Sequence, residues 1–253
     1  MHTKILENMK SVPTSEIPII EIFPSIEGEG SMIGYSQIFI RVGGCPVGCQ
    51  NCDSKSTWKV GKTTSVSDVV ETAIELSKTT GIKRFSITGG EPAIYKAQVT
   101  FIASQLRALI IGSTFNLETS GDFLDIFDYP RFKDVFQYAS IDLKPPSSGV
   151  PTKPDQVKRI VDLAHSQTQS YHMNVQLKCP VANLEDLRWL EQIDLTSLMS
   201  ALVITPAVDP ANDELETLIS EQAEVLRLVQ SWSEGRAFNV RFIPQIHKLY
   251  SVQ

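Results

Sequence analysis

The sequence predicts an α/β fold in which parallel strands alternate with helices. Short apolar runs with strand-type composition alternate with longer segments of helical periodicity. We count about six such strand–helix units, fewer than the eight that close a barrel. Polar clusters bearing glycine or proline follow the strands, namely GGCPVGC, TGGEP, ETSG and DLKPPSSG. Chemistry in β/α folds sits at the carboxyl ends of the strands, so we treat these clusters as one candidate site.

The strands and helices follow from these patterns in chain order. Pro18 has no backbone N–H to donate, which predicts an edge position for the first strand. Ser65 and Asn183 precede helical patterns and are the residue types that cap helix N-termini. Strands are predicted over residues 17–23, 37–42, 84–87, 114–117, 135–143, 171–177, 198–204 and 239–243. Helices are predicted over residues 65–78, 95–110, 124–127, 155–167, 183–191 and 214–232.

Length and composition predict one large globular domain. The chain has 253 residues, of which 42% are hydrophobic and 21% are charged. We expect a flexible N-terminal lead over residues 1–15 and a single domain over residues 16–253. The net charge of −6 argues against a nucleic-acid binder. No apolar run reaches membrane-spanning length and no signal peptide precedes the clustered thiols, so we expect a protein of the reducing cytoplasm.

Three of the four cysteines lie on one short loop after the strand at residues 37–42. They are Cys45, Cys49 and Cys52, spaced C-x₃-C-x₂-C. Thiolates this close in sequence can converge on a soft metal centre. A four-iron cluster normally takes four cysteines, so three would leave one iron open for chemistry.

Two other uses of the three cysteines stay open at this point. A structural zinc would need a fourth ligand from Cys179 or from a distant histidine (His2, His165, His172 or His247). A disulfide would leave one clustered thiol over.

Two further segments contain polar residues that are candidates for ligand contacts. Residues 24–34, PSIEGEGSMIG, are either a solvent loop or a loop whose glycines let backbone approach a ligand, with Glu27 and Glu29 as polar contacts. Arg41 stands among apolar neighbours on the strand at residues 37–42. It forms either a surface ion pair or, if buried, a contact with an anionic partner.

These motifs together resemble a known enzyme family. C-x₃-C-x₂-C after a first strand, with Gly89-Gly-Glu-Pro92, resembles the signature of radical S-adenosylmethionine (SAM) enzymes. With IFPSIEGEGSMIG, KPPSSG and PQIHK, the resemblance narrows to the 7-carboxy-7-deazaguanine synthase family and covers residues 21–248. Many members have glutamine where this chain has Glu27. The resemblance implies a partial (βα)₆-type radical SAM barrel as a single domain.

The resemblance also implies a reaction and its cofactors. A [4Fe-4S] cluster would cleave SAM to methionine and a 5′-deoxyadenosyl radical, which would take a hydrogen from C6 of 6-carboxy-5,6,7,8-tetrahydropterin. The product, 7-carboxy-7-deazaguanine, would form by ring contraction with loss of ammonia, as a lyase step toward queuosine and other 7-deazapurines. Mg²⁺ would assist, a flavodoxin or ferredoxin would supply the electron, and the protein would be a homodimer.

The same resemblance assigns roles to individual residues. The three clustered cysteines would bind the cluster and Ser54 would bind Mg²⁺. SAM would be held by Asn51, Asp53, Gly89, Gly90, Glu91, Glu118, Thr119, Ser120, Asp142 and Lys144. The substrate would be held by Ile26, Glu27, Gly28, Arg41, Thr88, Gln245 and His247.

Two rival interpretations keep part of this pattern. A radical SAM activase acting on a protein partner would share the cysteines and Gly-Gly-Glu-Pro, but would not need the EGEG loop, Ser54 or the PQIHK tail. A non-catalytic, zinc-stabilised binding module would need only the cysteines. Cys179 lies outside the family motifs, and we interpret it as a small strand residue.

Overall fold

The structure is a computed structural model and describes residues 2–171, 173–198, 201–207, 215–234 and 239–249. Nine strands are found in these residues: β1 Glu16–Ile26, β2 Ser36–Val42, β3 Thr63–Ser65, β4 Arg84–Gly89, β5 Thr114–Thr119, β6 Tyr138–Asp142, β7 Asn174–Val181, β8 Leu202–Pro206 and β9 Val240–Phe242. The α-helices are α1 His2–Lys10, α2 Val66–Thr80, α3 Lys96–Leu109, α4 Phe132–Val135, α5 Pro154–Tyr171, α6 Leu184–Leu190, α7 Leu215–Ser233 and α8 Ile246–Leu249. Strands alternate with helices along most of the chain, so the predicted α/β class is confirmed.

The chain divides into two compact units, each made of several chain segments. The first unit comprises residues 1–25, 35–48 and 54–139, and the second comprises residues 26–34, 49–53 and 140–253. In the first unit the hydrogen-bonded strands follow the order β3-β1-β2-β4-β5-β6, and in the second they follow the order β6-β7-β8-β9. Strand β6 is named in both orders because the boundary between the units falls within it. The pairs β2–β4, β4–β5, β7–β8 and β8–β9 are parallel.

Local sequence signals account for the helix ends. The Ser65 side chain accepts a hydrogen bond from the Asp68 N–H (3.0 Å), and Gly81 ends α2 in the left-handed conformation with φ of 76°. The Asn183 side chain accepts from the N–H groups of Glu185 and Asp186 at the start of α6. Both predicted N-caps are therefore confirmed.

The predicted edge position of β1 is wrong. Residues 63–65, which carry no long apolar run, form β3 and pair antiparallel with β1, with Pro18 opposite Thr63. Strand β1 therefore lies between β3 and β2. The Pro18 carbonyl accepts from the Gly43 N–H (2.9 Å), so the missing proline N–H would face that side of β1 and costs no hydrogen bond to β3.

Strand and helix bounds differ from the predictions mainly in the second unit. Helix α5 runs to Tyr171, and β7 spans Asn174–Val181, so the strand ends later than predicted. Residue 172 of the predicted strand 171–177 lies outside the described residues. So do residues 199–200 of the strand predicted at 198–204 and residue 214 of the helix predicted at 214–232.

The N-terminal lead that the sequence predicted as flexible contains helix α1. Within it Met9 is only 1% exposed, and its side chain fills the space beside Gly44. The boundary at residue 15 stays a prediction.

Aromatic and aliphatic side chains fill the core of each unit. In the first unit the rings of Phe85 and Phe115 stack with centroids 5.3 Å apart, and Phe136 meets Phe115 edge-on. In the second unit every residue of β8 is buried, which is typical of a parallel strand covered on both faces. Each such buried side chain contributes about 1.5–3 kcal/mol and holds the strand ends, which carry the polar clusters, in place.

Candidate active site

The ends of β2 and β4 meet in the first unit and bring two glycine pairs together. The parallel register places Arg41 opposite Thr88 and Val42 opposite Gly89. Beyond the strands, the Gly90 N–H donates to the Val42 carbonyl (2.9 Å) and the Glu91 N–H to the Gly44 carbonyl (2.8 Å). The Gly-Gly-Glu-Pro turn is thus hydrogen-bonded to the backbone that leads into Cys45.

Glycine is required at this junction by close backbone contact. A Cβ on Gly90 would lie 1.9 Å from the Gly44 carbonyl oxygen, a distance that real Cβ atoms do not show. Gly89 has φ of 118°, and a Cβ there would lie 2.3 Å from the Val42 oxygen. The two glycines therefore let the Gly-Gly-Glu-Pro turn pack directly on the backbone that leads into Cys45.

Glu91 is fully buried, and its carboxylate accepts hydrogen bonds from residues of the first unit. Its Oε1 accepts from the Ala93 N–H (3.0 Å) and the Thr119 hydroxyl (2.7 Å), and its Oε2 accepts from the Ser120 N–H (2.8 Å). Burial raises the pKa of this carboxyl, and the hydrogen bonds oppose that rise. Glu91 therefore ties the end of β4 to the end of β5, and its predicted contact with SAM stays a prediction.

Glu118, at the end of β5, accepts hydrogen bonds from two hydroxyl groups of β4. Ser86 donates to its Oε1 (3.1 Å) and Thr88 donates to its Oε2 (3.2 Å). Thr88 was predicted to bind substrate and Glu118 to bind SAM, and the structure joins them directly. Ser120 donates to the Asp122 carboxylate (3.1 Å) at the tip of the same turn.

Arg41 has the anionic partner that its apolar surroundings demand. Its Nε forms an ion pair with Glu21 Oε1 (2.9 Å), and its guanidinium lies 5.3 Å above the centre of the Phe23 ring. Another guanidinium N–H donates to Ser54 Oγ (3.2 Å). Arg41 thus joins β1 to Ser54, the residue predicted to bind Mg²⁺.

The cysteine loop is anchored separately in each unit. In the first unit the Cys45 N–H donates to the Trp58 carbonyl (3.2 Å). In the second, the Cys52 N–H donates to the Cys49 carbonyl (3.3 Å), and the Gln50 N–H donates to the Ser148 carbonyl (2.8 Å) of the KPPSSG turn. Asn51 lies on the turn between Gln50 and Cys52.

The donor chemistry of the loop fits an iron–sulfur cluster. Cys45, Cys49 and Cys52 form no disulfide, and each is partly exposed. Burial raises the pKa of Cys49, and the ammonium of Lys144 opposes that rise. In the described part of the chain, no group of three or more His, Cys, Asp or Glu side chains is already arranged as a metal site.

The second unit holds a chain of alternating charges. Lys144 Nζ lies 3.0 Å from Asp142 Oδ2, and Lys178 Nζ lies 3.5 Å from Asp142 Oδ1. Lys178 also lies 2.7 Å from Glu29 Oε1. Burial alone would raise the pKa of Asp142, but Lys144 and then Lys178 outweigh it and hold that pKa below its usual value.

The EGEG segment and the C-terminal tail contact each other in the second unit. The Ile246 N–H donates to the Gly28 carbonyl (2.9 Å), and Gln245 Nε2 donates to Glu29 Oε2 (3.2 Å). A Cβ on Gly28 would lie 2.1 Å from His247 Nδ1.

Other residues of the same unit complete these contacts. The buried Glu27 accepts from the Glu29 N–H through its side chain (3.3 Å), while Ile26 is 42% exposed. Lys248 lies 3.8 Å from Asp53. The structure thus brings the predicted substrate residues Gly28, Gln245 and His247 together.

Sequence reasoning missed three polar residues of these sites. Glu21 and Lys178 each stand alone in a run of apolar strand residues, a pattern that already signals a partnered charge. Gln176 shares the face of β7 that carries Lys178. The signal was present at Glu21 and Lys178, but it did not reveal their partners, and Gln176 carried no signal of its own.

A loop with three thiols after a strand of an α/β fold is typical of iron–sulfur proteins. Residues 26–143 match the family described as a 4Fe-4S single cluster domain. The crystal structure of QueE from Escherichia coli has the same fold, with a TM-score of 0.57, 20% identity and coverage of 94% of this chain and 97% of that one. The matched region spans about half of several curated relatives, among them the 7-carboxy-7-deazaguanine synthase of Pyrobaculum aerophilum, 33% identical over 49% of this chain and 54% of the relative.

A further relative extends the match to nearly the whole chain. The 7-carboxy-7-deazaguanine synthase of Bacillus subtilis is 32% identical over 250 residues, which cover 92% of this chain and 95% of the relative. The chain therefore belongs to the 7-carboxy-7-deazaguanine synthase family, as its motifs predicted. No helix within the described residues is long and apolar enough to cross a membrane.

Proposed function

We propose that this protein is a 7-carboxy-7-deazaguanine synthase, a radical SAM lyase that converts 6-carboxy-5,6,7,8-tetrahydropterin to 7-carboxy-7-deazaguanine with loss of ammonia in queuosine biosynthesis. The observation that carries the proposal is the nearly full-length match to the relative of that name in Bacillus subtilis. The three partly exposed thiols of the loop at residues 45–52, which form no disulfide, support it. An activase for a protein partner would not account for the contacts between the EGEG loop and the tail.

Cys45, Cys49 and Cys52 would hold a [4Fe-4S] cluster, with SAM at its open iron. When bound, the cluster and SAM supply the radical that takes a hydrogen atom from C6 of the pterin. The chain itself positions and shields these groups. The glycines at 89 and 90 let their turn pack on the backbone at Val42 and Gly44, and Glu91 fixes Thr119 and Ser120 beside them. SAM would bind at this turn. Asp142 and Lys144 would hold further polar groups of SAM.

The substrate would be bound by polar groups that are already oriented. Arg41 is held by Glu21 and keeps further guanidinium donors for the substrate carboxylate. Thr88 is oriented by Glu118, and the EGEG loop with Gln245 and His247 would bind the pterin edge. Ser54 would give Mg²⁺ its one protein ligand, since this ion usually keeps several waters.

Three predictions about the setting of the enzyme rest on the family resemblance. A flavodoxin or ferredoxin would supply the electron, the protein would form a homodimer, and it would work in the cytoplasm. The partly exposed thiols outside any disulfide support a reducing compartment, because such thiols oxidise readily elsewhere.

An anaerobic assay tests the proposed activity. The protein is reconstituted with iron and sulfide, mixed with dithionite, SAM, Mg²⁺ and 6-carboxytetrahydropterin, and its products are analysed by mass spectrometry. We expect 7-carboxy-7-deazaguanine from the wild type and from Cys179→Ala, but none from Cys49→Ala. Formation of 5′-deoxyadenosine without the deazaguanine would retain the radical SAM class and refute the substrate. A reconstituted protein without cluster would refute the whole proposal.

A further inference from the structure

Lys178 lies on β7, between residues that belong to the hydrophobic core. Its neighbours Leu177 and Cys179 are completely buried, and Lys178 itself is only 9% exposed. A nearly buried ammonium is costly unless it is paired and hydrogen-bonded. The contacts that offset this cost therefore indicate what the residue does.

Those contacts connect two separate parts of the second unit. Lys178 Nζ binds Glu29 Oε1 (2.7 Å) in the loop at residues 26–34, which we call the glycine loop, and Asp142 Oδ1 (3.5 Å) at the end of β6. The remaining oxygens of these two carboxylates bind Gln245 and Lys144. The positive and negative charges alternate and balance, so the ammonium is compensated on both sides.

Gln176 makes a second bridge of the same kind, two residues earlier on the same face of β7. Its Oε1 accepts from the Ser31 N–H (2.7 Å) in the glycine loop, and its Nε2 donates to Ser140 Oγ (2.8 Å) on β6. A Cβ on Gly30 would lie 2.4 Å from that Nε2, so glycine at this position lets the bridge form. The two bridges run in parallel from the glycine loop, across β7, to β6.

We propose that Lys178, supported by Gln176, is a positioning residue that sets the glycine loop relative to Asp142. The inference rests on the proposed function in one respect, because the loop is taken to bind the pterin. Lys178 then determines how well the loop is ordered for substrate, while the chemistry depends on other groups. Removing the ammonium removes its ion pairs with Glu29 and Asp142, so the glycine loop becomes less ordered.

Hydrogen–deuterium exchange measures this ordering without substrate. In Lys178→Met, which keeps a long apolar stem, we expect amide exchange in residues 26–34 to rise about tenfold or more, with little change in α2. Glu29→Gln removes the other side of the ion pair and should give the same local rise. The double variant should add little to either single variant. Lys158→Met, at an exposed lysine paired with Asp162, is the matched control and should change nothing in the loop.

Steady-state kinetics separates positioning from chemistry. We expect KM for the pterin to rise about tenfold in Lys178→Met while kcat stays within about threefold, because uniform binding is lost. Iron content and the cluster absorbance should match the wild type.

The outcomes separate this inference from the proposed function. Unchanged loop exchange in both Lys178→Met and Glu29→Gln would overturn the inference even if the wild type makes the deazaguanine. Faster loop exchange in a protein that makes no deazaguanine would keep the positioning role and refute the proposed function. If Lys178→Met loses protection throughout the chain, Glu29→Gln decides alone.

Discussion

At the scale of single residues, Glu91 and Asp142 are buried or half-buried carboxyl groups with opposite pKa shifts. Glu91 accepts only from neutral donors, so burial dominates and its pKa rises. Asp142 faces two ammonium groups, which outweigh its burial and lower its pKa. The charge of the partners, rather than the depth of burial, decides the direction in each case.

Replacing Glu91 by alanine should destabilise the protein by about 2–4 kcal/mol. The change leaves the N–H groups of Ala93 and Ser120 and the Thr119 hydroxyl without their acceptor in a buried place. Urea unfolding of Glu91→Ala against wild type measures the loss. Glu71→Ala, on the exposed side of α2, is the control and should stay within about 0.5 kcal/mol. Equal stability of Glu91→Ala and wild type would show that these bonds are replaced by others.

Asp142→Asn should remove a pH-dependent part of the stability. Because the folded-state pKa of Asp142 is lowered, its contribution is fully present above the ordinary value of 3.8 and is lost as pH falls through the folded-state pKa. The difference in unfolding free energy between wild type and Asp142→Asn should therefore be constant near pH 7 and shrink below about pH 4. Urea unfolding of both proteins from pH 7 to pH 3 measures it. A difference that does not vary with pH would contradict the predicted charge pairing.

At the scale of elements, two adjacent parallel strands end in glycine pairs that share backbone hydrogen bonds. The strands β2 and β4 bring Gly44 and Gly90 so close that side chains are excluded at the contact. Side-chain packing cannot hold the turn there, so backbone bonds and the Glu91 carboxylate hold it instead. The turn is thus fixed by contacts of its own backbone and of one buried carboxylate.

Gly90→Ala should cost about 2–4 kcal/mol and prevent SAM binding. The new methyl group would lie 1.9 Å from the Gly44 carbonyl oxygen, so one of the two backbones must move. Gly112→Ala is the control: it also strains a glycine, with φ of 81°, but meets no atom within 4 Å, so only about 1 kcal/mol is expected. Thermal unfolding and SAM titration by calorimetry measure both effects. Unchanged SAM affinity in Gly90→Ala would remove this turn from the cofactor site.

At the scale of the whole molecule, four cysteines divide into two chemical kinds. Three are partly exposed on one loop, whereas Cys179 is completely buried in β7 and its pKa is raised well above the usual value by that burial. A protonated thiol inside the core is neither a nucleophile nor a metal ligand. The interpretation of Cys179 as a packing residue agrees with this environment.

Cluster loading should raise the melting temperature by roughly 5–10 °C, as expected for a ligand that contributes about 2.7 kcal/mol. The rise should be absent in Cys45→Ala, Cys49→Ala and Cys52→Ala, and it should persist in Cys179→Ala. Anaerobic calorimetry before and after reconstitution, with iron analysis, measures it. A rise in Cys49→Ala equal to that of wild type would exclude this thiol as a ligand.

Local patterns in the sequence were enough for much of the fold and for the family. Three kinds of signal depend only on residues within a few positions of one another: the alternation of apolar and polar residues, the helical periodicity, and the caps Ser65 and Asn183. They can therefore be recognised in the sequence alone. The spacing of Cys45, Cys49 and Cys52 and the motif resemblance likewise identified the family. The motifs that identify the family are short segments, and a short segment can be recognised without knowing the rest of the fold.

Only the tertiary structure decided which charges meet and which strands are neighbours. Glu29 and Lys178 are 149 positions apart, and Gln245 and Glu29 are 216 positions apart. The three residues of β3 cover the proline strand without a hydrophobic pattern of their own. The sequence by itself indicated that Arg41, if buried, needs a partner, because a buried charge is costly anywhere. The partners of Lys178 were not predicted. Which carboxylates those partners are depends on how the strands are ordered, and that order is set by packing over the whole chain.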